Sequence, residues 1–186
     1  MMTSIKKLVI LDRDGVINID SDAFIKSPEE WVAIPGSLEA IARLNHAGYR
    51  VVVASNQSGI GRGLFDMAAL NAMHVKMQRA AAAVGGRIDA VFFCPHTAED
   101  ECECRKPKPG LLKTIVERYE IDPSTTPVVG DSLRDLQAGA ALGFPTHLVL
   151  TGKGNKTLAL GDLPEGTRVH EDLKAFVLTY LAEQEA

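Results

Sequence analysis

No apolar run in this chain approaches the roughly 20 residues that a membrane-spanning helix needs. The opening stretch Met1 to Lys7 leads straight into a strand pattern rather than into the apolar core of a signal peptide. Nor is there a basic excess: 20 Lys and Arg stand against 24 Asp and Glu, for a net charge of −4. A broad nucleic-acid footprint is therefore not expected, and a small anion in a local pocket is the better-suited partner. Three cysteines in 186 residues are too few for a disulfide framework, and all of them fall between positions 94 and 104. In a reducing compartment such crowding points to metal binding. Internal repeats and low-complexity segments are also missing. The expectation is a cytoplasmic single domain spanning 1–186 that acts on a small molecule, long enough for one core and too short for a second.

What is present is an alternation of short β-branched runs with helical patterns. Lys7 to Leu11, Val51 to Ala54, Ala90 to Phe93, Pro127 to Val129 and Thr146 to Leu150 read as buried parallel strands, with a short further strand near Arg168 to His170. Helices are expected over Ser37 to Ala47, from an Asp66 cap to about Val84, over Pro109 to Tyr119, over Leu133 to Leu142, and from about Asp172. The fold class that follows is α/β, a doubly wound parallel sheet. Thr151 to Gly166 reads as loop, and Ile19 to Pro35 and Pro95 to Lys108 are long loops of the kind that carry function.

Four strand ends carry the chemistry. The first gives Asp12 and Asp14, the second Ser55-Asn56-Gln57-Ser58, the third leads to Arg105-Lys106-Pro107, and the fourth gives Gly130-Asp131-Ser132 with Asp135 beyond. Taken singly, each could be a turn, a cap or a solvated charge. Taken in order they supply what phosphoryl transfer requires: a nucleophile, a metal, a hydroxyl and a cation on the phosphoryl oxygens, and an acid for the leaving oxygen. Asp12 and Asp131, with a backbone carbonyl near Asp14, form an all-oxygen partial shell suited to Mg²⁺.

These residues resemble the haloacid dehalogenase superfamily of aspartate-nucleophile phosphatases, whose four motifs stand here as Asp12-x-Asp14, Ser55, Lys106 and Gly130-Asp131-x3-Asp135. The resemblance implies that Asp12 attacks phosphorus and that Asp14 protonates the leaving alkoxide and then activates water. It implies further that Ser55 and Lys106 hold the phosphoryl oxygens, Asp131 anchors Mg²⁺, and Asp135 orients Lys106 or a metal-bound water. The superfamily often has Thr where Val16 and Ser55 stand; Ser55 keeps the hydroxyl, and Val16 is expected to affect packing alone.

Cys94, His96, Cys102 and Cys104 form a Cys-x-His-x5-Cys-x-Cys spacing, a full soft-ligand set for a closed, structural zinc site. The loop starts at the third strand end and finishes just before Arg105-Lys106, so the metal would fix the loop that presents two cations. No segment between the first two motifs is long enough for a cap domain. With this loop and Ser58-Gly59-Ile60-Gly61-Arg62-Gly63, the chain is similar to the capless heptose-bisphosphate phosphatase subgroup, whose sibling is the histidinol-phosphate phosphatases. The resemblance implies a phosphorylated sugar as substrate, with Arg105 a contact to the sugar or its second phosphate, Asp20, Asn56 and Gln57 its hydroxyl contacts, and activated-heptose synthesis for lipopolysaccharide its setting. A histidinol-phosphate phosphatase is the alternative, a zinc-stabilised, non-catalytic binding module a further one, and for a nucleic-acid 3′-phosphatase this chain lacks the expected basic groove. A capless chain is expected to be a monomer.

Several residues draw plainer readings. His46, His74, His147 and His170 lie on helices or strand edges with no partner evident from sequence. Trp31 packs its loop or lines the substrate mouth, Met67, Met73 and Met77 share a helical spacing that suits a core, and Lys153 and Lys156 are loop charges or anion contacts.

Overall fold

The computed structural model describes residues 6–186. The Met1 to Lys7 reading falls mostly on residues outside that range. Along the chain run β1 (Leu8–Leu11), α1 (Ser37–His46), β2 (Arg50–Asn56), α2 (Ser58–Gly61), α3 (Met67–Ala83), β3 (Ala90–Cys94), α4 (Gly110–Tyr119), β4 (Val128–Gly130), α5 (Leu133–Ala140), β5 (Thr146–Val149), α6 (Gly154–Leu160), β6 (Arg168–His170) and α7 (Leu173–Glu185). The six strands form one parallel sheet in the order β3-β2-β1-β4-β5-β6. The order reverses direction between β1 and β4, and ligands of such sheets bind at that crevice, beyond the C-terminal strand ends.

Period-two alternation explains why β1 is apolar throughout. Val9 and Leu11 join a core with Ile41 and Leu44 of α1, Leu70, Met73 and Met77 of α3 and Phe176 of α7. Leu8 and Ile10 face the opposite core, with Leu111, Leu112 and Ile115 of α4 and Ala138 of α5. Each such side chain contributes about 1.5–3 kcal/mol on burial, so β1 is held from both sides and its C-terminal Asp12 has a rigid base. Val16 and Trp31 are both in the first core, Trp31 only 2% exposed, so it packs the loop and does not line a mouth. Asp66 and Asp172 cap α3 and α7 by accepting from Ala69 N (2.8 Å) and Ala175 N (2.7 Å).

Three expectations are corrected. Thr151 to Gly166 is not all loop: it contains α6, a two-turn helix fixed by the Thr157 hydroxyl, which donates to Asp131 O at 2.8 Å. Met67 is exposed on the first turn of α3, whereas Met73 and Met77 are buried. His147 and His170 do have partners, each other, with Nδ1 and Nε2 3.0 Å apart across β5 and β6 beside the Phe176 ring. No helix among the described residues is long and apolar enough to cross a membrane.

Candidate active site

Asp12 follows β1 directly, with its backbone N–H donating to Val129 O at 3.0 Å, and Asp131 follows β4, so the reversal in strand order sets the two carboxylates side by side. Gly15 allows the approach: its φ is +85°, and a Cβ there would meet Asp131 Oδ2 at 2.1 Å. Lys106 reaches in from the third strand's loop and spends its ammonium on three oxygens, Asp135 Oδ1 (2.6 Å), Ala54 O (2.7 Å) and Asp12 Oδ1 (3.2 Å). Asp135 uses its other oxygen to accept from the N–H (3.1 Å) and hydroxyl (2.9 Å) of Ser132 in a capping box. Gly130 stands where a Cβ would lie 2.3 Å from Asp135 Cβ, which is how the Gly-Asp turn brings Asp135 under the sheet edge.

The charges are out of balance. Burial first, then repulsion by Asp135, pushes Asp12 up to about 7 despite Lys106. Burial, with Asp12 and Asp135 adding to it, pushes Asp131 up to about 9. For Lys106, burial works against the charge, yet Asp12 and Asp135 more than offset it and hold its pKa above the ordinary value. Asp135, also opposed by burial, is held low by Lys106. Lys106 thus pairs with two of three closely set carboxylates, and the repulsion left over falls on Asp12 and Asp131.

Asp14 is held by a different set of contacts. Its carboxylate accepts from Arg13 Nε (3.0 Å) and Nη2 (3.2 Å), Asn18 Nδ2 (2.9 Å) and Gln57 Nε2 (3.1 Å). Gln57 is buried and its amide nitrogen also donates to Ser55 Oγ at 2.7 Å, leaving the Ser55 proton to be given to another acceptor. The expected hydroxyl contact at Gln57 is therefore not where its side chain points: it links Asp14 to Ser55. Asn56 is likewise engaged, its amide exchanging two 3.0 Å hydrogen bonds with the Lys106 backbone and tying β2 to the third-strand loop.

A cleft of about 280 Å³ opens over these groups. Asp12, Asp14, Asp20, Asn56, Arg105, Lys106, Asp131 and Asp135 line it, and the buried Ser55 and Gln57 are linked to that lining through Asp14. Sequence reasoning missed Phe24, Arg62, Ser132 and Arg134, which also face the cleft. Phe24 has a φ of 67°, a backbone state that side chains rarely adopt, with the Arg62 guanidinium 5.9 Å from its ring. Lys153, read from sequence as a loop charge or an anion contact, donates its backbone N–H to Asp131 Oδ2 at 2.8 Å, and its ammonium is 3.7 Å from Asp20. The contacts of Lys153 and Thr157 to Asp131 have no local sequence signal, because both act through one short helix whose anchoring is tertiary.

Two clusters have metal-ligand character. Asp12, Asp131 and Asp135 bring carboxylate oxygens within 4.8 Å of one another. Asp135 is saturated by Lys106 and Ser132, so Asp12 and Asp131 are the free donors, and their raised pKa values mark the charge that a hard, oxygen-preferring divalent cation would neutralise. The Asp14 carboxylate is not part of this cluster, which leaves only its backbone region for the metal. In the second cluster Cys94 Sγ lies 3.0 Å from Cys104 Sγ and 3.6 Å from Cys102 Sγ, Cys102 and Cys104 are 3.7 Å apart, and His96 Nδ1 is 3.4 Å from Cys94 and 3.3 Å from Cys104. Tetrahedral Zn²⁺ with Zn–S bonds near 2.3 Å needs S···S edges of roughly 3.8 Å, so four donors already sit close to that geometry.

The chain matches the HAD-hydrolase-like family over residues 103–176. It is 62% identical over 177 residues to the D-glycero-beta-D-manno-heptose-1,7-bisphosphate 7-phosphatase of Bordetella bronchiseptica, covering 95% of this chain and 99% of that one. The Pseudomonas aeruginosa protein of the same name is 52% identical over 170 residues, covering 91% and 95%. Among solved structures, the B. bronchiseptica D,D-heptose 1,7-bisphosphate phosphatase, crystallised with magnesium and phosphate, superposes with a TM-score of 0.94 at 62% identity over 97% of this chain and 99% of that one. The Burkholderia thailandensis D,D-heptose 1,7-bisphosphate phosphatase gives 0.78 at 72% identity over 95% and 99%.

Proposed function

This chain belongs to the heptose-bisphosphate phosphatase family of haloacid-dehalogenase-like hydrolases, and from that premise we propose that it removes the 7-phosphate of D-glycero-β-D-manno-heptose 1,7-bisphosphate and leaves the 1-phosphate in place. The observation that carries the reading is the pairing of Asp12 and Asp131 at the reversal of strand order, with Lys106 bridging Asp12 to Asp135. Asp12 attacks the 7-phosphorus in line and forms an aspartyl-phosphate as the C7 alkoxide leaves with a proton from Asp14. Asp14, now a base, then takes a proton from the water that attacks the acyl-phosphate, and inorganic phosphate departs. Lys106 and the Ser55 hydroxyl meet the phosphoryl oxygens, and Asp135 keeps Lys106 in place.

Mg²⁺, held by Asp12, Asp131 and the backbone near Asp14, would supply positive charge to the phosphoryl group. Arg105 meets the 1-phosphate with its planar fork. Burial and then the neighbouring Arg134 and Arg62 press its pKa down, a tension that a phosphate dianion relieves. Asp20, at the rim, is left to contact sugar hydroxyls. Zn²⁺ on Cys94, His96, Cys102 and Cys104 is structural, fixing the loop that delivers Arg105 and Lys106 to a single domain over 1–186. Three free cysteines in metal-ligand geometry suit a cytoplasmic enzyme, in which the product feeds activated-heptose synthesis for lipopolysaccharide.

Phosphorus NMR of the product tests the regiochemistry: loss of the C7 signal with the anomeric C1 signal retained is expected, and loss of the anomeric signal would overturn the proposal.

Mg²⁺ binding should be proton-linked. The raised pKa values mean that metal-free Asp12 and Asp131 both retain protons at pH 6, that Asp12 loses its proton as pH rises through about 7 and Asp131 only through about 9, so protons compete with the ion and are released when it binds. The apparent Kd for Mg²⁺ is expected to tighten by about tenfold per pH unit near pH 8 and more steeply near pH 6, where both carboxylates hold protons, read by titration of activity and of Tm. A pH-independent Kd would contradict this assignment of the ligands.

Zinc content should be one per chain. Serine at Cys102 or Cys104 is expected to lose the metal and, at a cost of about 3–5 kcal/mol, to lower Tm by about 10 °C or more. Activity would fall with it as Lys106 loses its support, and a metal-free variant of unchanged Tm and activity would exclude the structural role.

A further inference from the structure

Arg13 lies between the two reacting carboxylates in sequence, yet its side chain points away from the cleft and is completely buried. Burying a guanidinium is expensive, and an apolar residue of similar volume usually does as well or better for stability. Each of its three nitrogens has a side-chain partner. Nε and Nη2 fork onto the two oxygens of Asp14, Nη2 also reaches Gln57 Oε1 at 3.3 Å, and Nη1 is 3.2 Å from Nε2 of His74 on α3. Gln57 closes the circuit by donating to Asp14 and to Ser55.

We propose that His74 is a positioning residue for phosphomonoester cleavage: it accepts from Arg13 and so locks the guanidinium fork that aims the Asp14 carboxyl at the leaving oxygen. His74 touches no reacting atom, and its effect passes entirely through Arg13. The role requires a neutral ring with an open lone pair on Nε2, and burial, followed by the Arg13 charge, pushes its pKa down to about 4. The Phe93 ring, 6.4 Å away and tilted by 58°, borders the imidazole. A guanidinium with a free Nη1 could swing on the Arg13 stem; one pinned at Nε, Nη1 and Nη2 cannot, and angular freedom at Asp14 is what general-acid catalysis cannot tolerate. The inference rests on the reading of Asp14 as the acid.

Because an acid matters most for a poor leaving group, the test compares two esters. First-turnover rates of leaving-group release are measured by rapid quench with the heptose bisphosphate, whose alkoxide needs a proton, and with p-nitrophenyl phosphate, whose phenolate does not. His74→Leu is expected to lower the alkyl-ester rate by about tenfold or more beyond any loss on the aryl ester, with KM little changed. His74→Gln, whose amide oxygen can accept from Arg13, should recover most of the loss. His74→Asn, polar but too short to reach, should resemble His74→Leu and stands in if that variant fails to fold. Equal losses on both esters, or none, would overturn the proposal provided that Asp14→Asn shows the selective loss. If Asp14→Asn shows no selectivity, the acid assignment falls and the role of His74 falls with it.

Discussion

Asparagine at position 12 is expected to reduce kcat by about 10⁴-fold or more, because an amide cannot form the acyl-phosphate on which both half-reactions depend. The fold should survive. Among the described residues the Asp12 side chain has one hydrogen bond beyond its own turn, to Lys106 at 3.2 Å, while Lys106 keeps Asp135 and Ala54 O. Stability should in fact rise at alkaline pH. The Asp12 pKa is raised from 3.8 to about 7 by burial and by Asp135, so the folded state binds the extra proton between those values. The favourable contribution of that proton is fully present below pH 3.8 and lost as pH rises through about 7. Asp12→Asn removes the penalty, so without Mg²⁺ its Tm should equal the parent's near pH 4 and exceed it at pH 8. Residual turnover above about one part in 10³ would place the nucleophile elsewhere.

Methionine at Lys106 should damage both chemistry and fold. Among the described residues the ammonium is the sole side-chain cation within hydrogen-bond reach of Asp12 and Asp135, both of which are buried or nearly so. Removing one partner of a buried ionic group costs about 3–5 kcal/mol, since the charge left behind has neither water nor counterion. Here the structure relaxes by protonation: without Lys106 the Asp12 pKa rises further, and its ionised, nucleophilic form becomes scarcer at neutral pH. With the lost contact to the phosphoryl oxygens, kcat should fall by about 10³-fold. The double variant Lys106→Met/Asp135→Asn separates the two effects. It removes the stranded charge and should regain most of the stability measured by denaturant unfolding, while activity stays low. Recovery of activity in the double variant would mean that Lys106 serves only to balance Asp135.

The parallel sheet was legible because strands buried on both faces are apolar without interruption, as Leu8-Val9-Ile10-Leu11 and Val51-Val52-Val53 are, and because chain punctuation such as Asp66 and Asp172 marks helix starts. The residues at the strand ends were legible for the same reason: an acid after an apolar run has one place to go. What sequence did not reveal is direction and tertiary anchoring. Asn56 and Gln57 follow Ser55 in the chain, which suggested hydroxyl contacts, but both amides are consumed in joining one strand end to the next. α6 lies among glycines that read as loop, and what stabilises it is the Asp131 backbone, 26 residues upstream of Thr157. The His147–His170 contact and the Arg13–His74 contact join residues whose neighbourhood is set by strand and helix packing, and no local pattern encodes either.

The most direct test of the whole account is kcat/KM for phosphate release from D-glycero-β-D-manno-heptose 1,7-bisphosphate beside histidinol phosphate, with Mg²⁺ present and zinc retained. A preference for the bisphosphate of about a hundredfold or more, near 2.7 kcal/mol in the transition state, is the predicted result and should shrink when Arg105 is replaced. A preference of that size for histidinol phosphate would contradict the proposed substrate.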